Sequence, residues 1–207
     1  MPITLSPDLL KAAVLFTSKE ETRFYLKGVS IQATLATVKV ASTDGHRLFV
    51  ARVCQEENTD TFSIIIPTDT IATATKGVKY GYLELSKLSE NQWRLGDTIF
   101  TPIDGTFPDY SRIVPTGVSG ETAQYNPEYV AALGKANKLL GGSAENVTIG
   151  YNGNKPALVT GSGFKAHNAL AVLMPLRFAA EDWSTILNSA MGDGFATPPA
   201  EAQALAA

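Results

Sequence analysis

The stretch 41-ASTDGHRLFVARV-53 places a turn dipeptide, one of the chain's two histidines and an arginine between two strand-like segments. Glycine accepts the positive φ that tight hairpin turns require, so Asp44-Gly45 predicts a β-hairpin at this point. A catalytic interpretation would combine His46 with Asp44 and Ser42, as a base, an orienting carboxylate and a nucleophile. No G-x-S-x-G elbow supports that interpretation. The local pattern favours a turn over an active site, and we expect no enzyme.

The composition is that of an ordinary globular protein. The chain has 207 residues, of which 44% are hydrophobic and 18% are charged. This length is sufficient to bury a core. The formal net charge of −3 carries no overall basic signature, so any affinity for nucleic acid must come from local patches.

The cysteine and histidine content limits the chemistry further. Cys54 is the only cysteine, and His46 and His167 are the only histidines. A disulfide framework and a cysteine zinc cluster are therefore excluded, and we expect no metal and no cofactor. No apolar run has the length of a transmembrane helix, and the N-terminus lacks a signal-peptide pattern. We therefore expect a cytoplasmic location and no contact with a membrane.

Three segments share helix-start chemistry. They are Ser6-Pro7-Asp8, Thr68-Asp69 and Asn126-Pro127-Glu128, in which a side-chain oxygen can cap the helix and an acid lies near its positive end. Three strand-like runs follow each start. The first set is RFYLKGVSI, ATVKVAS and HRLFVARV. The pattern predicts an α+β fold of three strand–helix–three-strand modules, near residues 1–60, 61–113 and 120–178.

Lysines recur late in each predicted helix. They are Lys11 in the first, Lys76 and Lys79 in the second, and Lys135 and Lys138 in the third. Each of these can be explained by the negative end of the helix dipole alone. If all three helices face one way, the lysines form a shared cationic surface that can contact phosphates without reading sequence.

Together these segments resemble the bacterial sliding clamp, the beta subunit of DNA polymerase III. TDGHRL and FPDYSRIVP are specific signatures of that family, and VLMPLRF resembles its C-terminal strand. The matching segments occur in the family's order: RFYLKGVSI, STDGHRLFV, SIIIPTDTI, TIFTPIDGTFPDYSRIVP, YNPEYVAAL and ALAVLMPLRF.

The resemblance implies the DNA clamp fold, with helices inside a ring and sheets outside. A bacterial clamp protomer has six modules, whereas this chain has three, or about one and a half clamp domains. Residues 1–113 resemble the family's middle domain, and residues 114–182 resemble the second half of its last domain. Residues 183–207 are expected to form a short helix and a flexible tail.

The resemblance also implies a groove for short partner peptides. Its apolar cleft would suit leucine and phenylalanine anchors, and methionine would adapt to several partners. His46, Arg47, Arg112 and Arg177 would supply polar contacts at the rim. The groove residues carried over from the family are Leu26, Thr43, Gly45, His46, Arg47, Leu48, Pro108, Arg112, Ile113, Val172, Met174, Pro175, Leu176, Arg177 and Phe178.

Two functions follow from the resemblance. The first is a clamp-like processivity factor, of phage or mobile-element origin, that binds double-stranded DNA without sequence preference and carries clamp-motif peptides of a polymerase. It would form a homo-oligomeric ring and would need a clamp loader. The alternative is an adaptor or decoy that binds the same peptides without forming a ring.

Overall fold

The computed structural model describes residues 3–54, 61–177, 186 and 189. Residues 1–176 form one compact unit, and residues 177–207 form a second. The predicted helix and tail at 183–207 lie outside the described residues, apart from Ile186 and Ser189. Within the described residues, no helix has the length and apolarity that a membrane crossing requires.

The described residues form antiparallel sheets with helices packed against them. The strands are β1 (Ile3–Leu5), β2 (Gly28–Ala33), β3 (Thr37–Thr43), β4 (Arg47–Cys54), β5 (Phe62–Pro67), β6 (Leu83–Lys87), β7 (Trp93–Leu95), β8 (Thr98–Phe100), β9 (Val147–Gly150), β10 (Ala157–Gly161) and β11 (Ala169–Leu173). The helices are α1 (Pro7–Val14), α2 (Thr68–Ala74), α3 (Pro127–Leu139) and α4 (Ser162–Ala166).

The predicted order of strand, helix and three strands is found in the first two modules. The third module differs in two ways. No strand precedes α3 among the described residues that follow β8, and the short helix α4 separates β10 from β11.

One predicted strand start is wrong. The run RFYLKGVSI was expected to be extended, but Glu21–Leu26 form a 3-10 helix and β2 begins only at Gly28. Phe24 is 53% exposed, so the apparent alternation of this segment does not correspond to one buried face.

The helix caps agree with the sequence in two cases of three. The Ser6 hydroxyl accepts a hydrogen bond from the Leu9 amide at 3.5 Å, and the Asn126 side chain accepts one from the Glu128 amide at 2.9 Å. At α2 the expected side-chain cap is absent among the described contacts, because the residue before the helix is Pro67 and Thr68 is already helical.

The first two modules exchange strands. The smaller sheet has the order β1-β6-β7-β8, so β1 of the first module pairs with β6 of the second. The larger sheet has the order β5-β2-β3-β4-β11-β10-β9, so β5 of the second module pairs with β2 of the first. Neither module can complete its sheet alone, because each borrows an edge strand from the other.

The larger sheet also crosses the division predicted at residue 113. Strand β4 pairs antiparallel with β11, with Leu48 opposite Val172 and Ala51 opposite Ala169. The first and third modules therefore share one continuous sheet, and the predicted domain boundary stays a prediction.

The main core lies between the sheets and one layer of helices. Helix α1 contacts both α2 and α3, and Leu10, Ile71 and Leu133 bring one buried side chain from each of them. Phe49 and Leu85 face them from the two sheets. A second cluster of Leu26, Ala41, Ile65 and Phe107 covers the opposite face of the larger sheet, as the two-residue period of strands requires.

Asn137 joins the parts of the third module. It is 0% exposed, and its amide nitrogen donates to the Ser143 carbonyl at 2.6 Å and the Asn146 carbonyl at 3.3 Å. Its oxygen accepts hydrogen bonds from the Gly163 and Phe164 amides at 2.9 and 3.3 Å. One side chain thus connects α3, the loop that follows it, and α4.

Candidate functional site

The β3–β4 turn forms the hairpin predicted from Asp44-Gly45. One carboxylate oxygen of Asp44 accepts hydrogen bonds from the amides of His46 and Arg47, both at 2.9 Å. The Thr43 hydroxyl donates to the Arg47 carbonyl at 2.7 Å and accepts from the Gly45 amide at 3.1 Å. Gly45 has a φ of +92°. These hydrogen bonds stabilise the turn, because they satisfy its backbone donors locally.

The same turn is attached to helix α3 by aromatic contacts. The Arg47 guanidinium lies over the Tyr129 ring, 4.5 Å from its centroid, and 5.4 Å from that of Phe16. The His46 ring stacks on Tyr129 at 5.9 Å between centroids. Arg47 also forms an ion pair with Asp44 at 2.9 Å, in which each side chain is 12% exposed. These contacts connect the first and third modules.

The environment of Tyr129 raises the pKa of its phenol. Burial raises the pKa of Tyr129, and the Asp44 carboxylate raises it further, while Arg47 acts in the opposite direction. A neutral ring presents its negative face to a cation. No local pattern marks Tyr129 in the sequence, because its partners lie on a strand more than 70 residues earlier.

Beside this hairpin, eight of the predicted groove residues surround one small cleft. Its volume is about 10 Å³, room for about one water molecule. The cleft residues are Thr43, Gly45, His46, Arg47, Leu48, Ile113, Val172 and Met174.

The floor of the cleft is the β4–β11 pairing. Leu48 and Val172 are opposite each other and are 0% and 1% exposed. The Met174 amide donates to the His46 carbonyl at 2.9 Å, which continues the contact between the two segments beyond β11. Ile113 and Met174 are only partly buried. The cleft thus has a buried apolar floor and two partly buried apolar side chains beside it.

Among the described residues of the first unit, the predicted groove residues Leu26, Pro108, Arg112, Pro175 and Leu176 do not line the cleft. Leu26 is 4% exposed and packs in the second core cluster. Pro108 is exposed, and Pro175 and Leu176 are partly buried. Leu176 is held by a hydrogen bond from its amide to the Gln124 carbonyl at 2.8 Å.

The arginines expected at the rim differ in their surroundings. Arg112 is 89% exposed at its side chain and lies 3.9 Å from the Asp109 carboxylate. Arg47 lines the cleft, but its guanidinium is committed to Asp44 and Tyr129. Arg177 belongs to the second unit, and Phe178 lies outside the described residues, so their place in the groove stays a prediction.

The turn at Asp109 is stabilised by hydrogen bonds. Ser111 donates to the Asp109 carboxylate from its hydroxyl at 2.6 Å and from its amide at 3.0 Å. These hydrogen bonds, with a smaller contribution from Arg112, lower the pKa of Asp109. The connector therefore presents a carboxylate and a guanidinium together to solvent, next to Ile113.

The lysines expected on the helix layer are not equivalent. Lys135 and Lys138 are exposed on α3 and border an open surface with Leu15 and Leu139. Lys76 and Lys79 are exposed after the end of α2.

Lys11 differs from the other four lysines, because its ammonium group makes contacts within the protein. Its ammonium group donates to the Val78 carbonyl at 3.3 Å and lies 3.5 Å from the Asp8 carboxylate.

The catalytic combination considered for this hairpin does not assemble. Ser42 is 0% exposed and donates to the Ala13 carbonyl at 2.6 Å, so its hydroxyl lies away from His46. In the part of the chain that the structure describes, no cluster of three or more His, Cys, Asp or Glu side chains is arranged to hold a metal ion.

A sequence model of a known family matches half of the chain. Residues 5–109 match the DNA polymerase III beta subunit, central domain. The chain is 28% identical to the beta sliding clamp of Salmonella typhimurium over 120 residues, which are 56% of this chain and 33% of that protein. It is 27% identical to the beta sliding clamp of Haemophilus influenzae over 164 residues, 71% of this chain and 42% of that protein.

A comparison of structures gives the same fold. The crystal structure of the DNA polymerase III subunit beta from Pseudomonas aeruginosa matches with a TM-score of 0.64 and 18% identity, over 86% of this chain and 67% of that chain. At this identity the match shows the fold alone, which is the DNA clamp fold predicted from the sequence. The matched regions span less than half the length of the two curated relatives.

Proposed function

Because the chain belongs to the DNA polymerase III beta subunit family, we propose that it is a clamp-like processivity factor that binds clamp-motif peptides in the cleft beside the β3–β4 hairpin. The observation that carries this proposal is the convergence of Leu48, Ile113, Val172 and Met174 around one cleft. These residues come from β4, the connector and the β11 segment. The proposed role is non-enzymatic.

The chemistry of the cleft suits an apolar anchor with an acidic neighbour. Leu48 and Val172 form an apolar floor, and burial of an aliphatic or aromatic side chain against such a floor contributes about 1.5–3 kcal/mol. His46 and Arg112 are exposed beside it and can contact a carboxylate of the peptide.

The cleft must open to receive a peptide. Its volume of about 10 Å³ is far below the ~300–1,000 Å³ of typical ligand pockets. Met174 and Ile113 are the partly buried side chains at its mouth. An unbranched methionine changes rotamer easily. We therefore propose that Met174 changes rotamer when the anchor enters and then packs against the bound anchor.

A peptide titration tests this proposal. A fluorescent clamp-motif peptide is titrated with the protein, and Met174→Ala is expected to weaken binding about 10-fold. Ile99→Ala is the matched control, because Ile99 is an exposed aliphatic residue on β8. Equal binding by wild type and Met174→Ala would falsify the cleft assignment.

The helix layer supplies the proposed DNA contact. Lys76, Lys79, Lys135 and Lys138 are exposed on or just after α2 and α3, which both contact α1. Contacts from lysines to phosphates are independent of sequence and fall with salt. This is the property that a factor moving along duplex DNA requires.

Ring formation is tested by size and by retention on DNA. Light scattering would measure the mass in solution, and gel filtration would measure retention on closed circular duplex DNA before and after linearisation. We expect retention, aided by a clamp loader, that linearisation releases. A monomer that binds the peptide but never stays on circular DNA would overturn the ring and would favour the adaptor alternative.

A further inference from the structure

We propose that a pocket at the other end of the β4–β11 pairing binds a nucleoside phosphate, with the base stacked on Tyr82 and the phosphate held by Arg52. The pocket has a volume of about 430 Å³, within the ~300–1,000 Å³ range of small-molecule sites. It is independent of the peptide cleft.

The loop between α2 and β6 provides the aromatic part. Tyr80 is 90% exposed and Tyr82 is 74% exposed. Both rings are therefore largely uncovered by the rest of the protein. Gly81 lies between them with a φ of +89°. Lys76 and Lys79 precede them and are exposed. Of this loop, Gly81 and Tyr82 line the pocket, and lysines next to exposed aromatic rings are typical of surfaces that bind unpaired nucleotides.

The start of this loop is attached to the rest of the fold at Val78. The ammonium group of Lys11 on α1 donates to the Val78 carbonyl at 3.3 Å, and the Val78 amide donates to the Thr75 carbonyl at 3.3 Å. Val78 packs against the main core. The tyrosines are therefore presented from an anchored backbone, which lowers the entropy lost when a ligand stacks on them.

The described lining of the pocket combines polar and apolar residues. Its lining includes Tyr82, Arg52, His167, Asn168 and Ser6, and no Asp or Glu occurs among its described lining residues. The guanidinium of Arg52 in this lining favours an anionic ligand. An aromatic wall beside this group adds a surface for a flat ring.

The pocket and the cleft are at opposite ends of one strand pair. The Arg52 amide donates to the Asn168 carbonyl at 3.1 Å, one step beyond the pairing of Ala51 with Ala169. The cleft lies at Leu48 and Val172, four residues along β4, or roughly 14 Å by strand rise. A peptide and a nucleotide could therefore be bound at the same time.

Two sources share this ligand chemistry: a free nucleotide, and an unstacked nucleotide of a single strand. A labelled short oligothymidylate is titrated with the full chain, together with an abasic strand of the same length and charge. We expect the oligothymidylate to bind at least 10-fold more tightly, since stacking contributes about 1–3 kcal/mol per base. The Tyr82→Ala variant should lose this difference.

The controls separate stacking from folding and from the peptide cleft. Tyr151→Ala removes a partly exposed tyrosine elsewhere and should keep the preference for bases. Arg52→Ala should weaken both strands. Peptide binding should be unchanged in all of these variants. Competition by thymidine monophosphate identifies the free nucleotide as the ligand, and its failure to compete identifies the strand. Equal affinity of the wild type for the two strands would overturn the proposal.

Discussion

The guanidinium carbon of Arg47 lies 4.5 Å from the centroid of the Tyr129 ring. Arg47 begins β4, and Tyr129 is in the first turn of α3. The same guanidinium pairs with Asp44 at 2.9 Å. One arginine therefore fixes the shape of the hairpin and attaches it to the third module, so the wall of the cleft is held from both sides.

Replacing Arg47 should destabilise the fold more than its place at a turn would indicate. Arg47→Ala removes a mostly buried ion pair and a cation–π contact, and we expect a loss of about 2 kcal/mol in the free energy of unfolding. Urea denaturation measures this change. Arg112→Ala is the control: its side chain is 89% exposed, so it should change stability by less than about 0.5 kcal/mol. Equal effects of the two variants would contradict the assigned role of Arg47.

Asn137 should be one of the most sensitive polar positions. Asn137→Ala leaves the buried amides of Gly163 and Phe164 without their acceptor, and unsatisfied buried groups cost about 1–3 kcal/mol each. We expect a loss of at least about 3 kcal/mol, measured by thermal and urea unfolding. Asn154→Ala, at an exposed position, should be nearly neutral. Retained stability in Asn137→Ala would show that water replaces the side chain.

Two glycines should respond to alanine in opposite directions. Gly45 has a φ of +92°, so Gly45→Ala should destabilise by about 1–2 kcal/mol. A Cβ at Gly117 would have open space around it and no positive φ, so Gly117→Ala should be neutral or stabilising by as much as about 1 kcal/mol. The melting temperatures of the two variants decide the matter, and a Gly45→Ala variant as stable as wild type would refute the strained turn.

The lysines of α3 should control the salt dependence of DNA binding. If Lys135 and Lys138 each contact one phosphate, Lys135→Gln/Lys138→Gln should reduce the slope of log K against log salt by about 1.8. Fluorescence anisotropy with a labelled duplex at several salt concentrations measures the slope. Lys87→Gln/Lys155→Gln makes the same charge change at exposed positions outside the helices and should leave the slope unchanged. A smaller change at α3 than in the control would place the DNA elsewhere.

Local chemistry predicted the elements whose causes are local. Ser6-Pro7 and Asn126-Pro127 mark the starts of α1 and α3, because a cap acts within three residues. Asp44-Gly45 predicted the hairpin for the same reason. The 3-10 helix at Glu21–Leu26 was not predicted. Its aromatic residues are typical of a strand, but they do not all lie on one buried face.

The contacts between modules could not be predicted in this way. The partners of Asn137 include amides 26 and 27 residues later, and no local pattern marks an asparagine for burial. Likewise, the sequence predicted Arg47 as a polar contact at the rim of the groove. In the structure its guanidinium lies over the ring of Tyr129 on α3, a contact that no local pattern indicates. The groove residues came from the resemblance to the family, and the structure brought eight of them to one cleft.

The β4–β11 pairing also determines when the cleft forms during synthesis and folding of the chain. Leu48 is synthesised 124 positions before its strand partner Val172, so β4 waits on the ribosome with one hydrogen-bonding edge uncovered. Closing such a long separation in sequence is slow compared with forming a hairpin. Until β11 pairs with β4, a nascent chain lacks the part of the cleft that Val172 and Met174 provide. Recruitment of a partner through the cleft would thus be reserved for molecules that have finished folding.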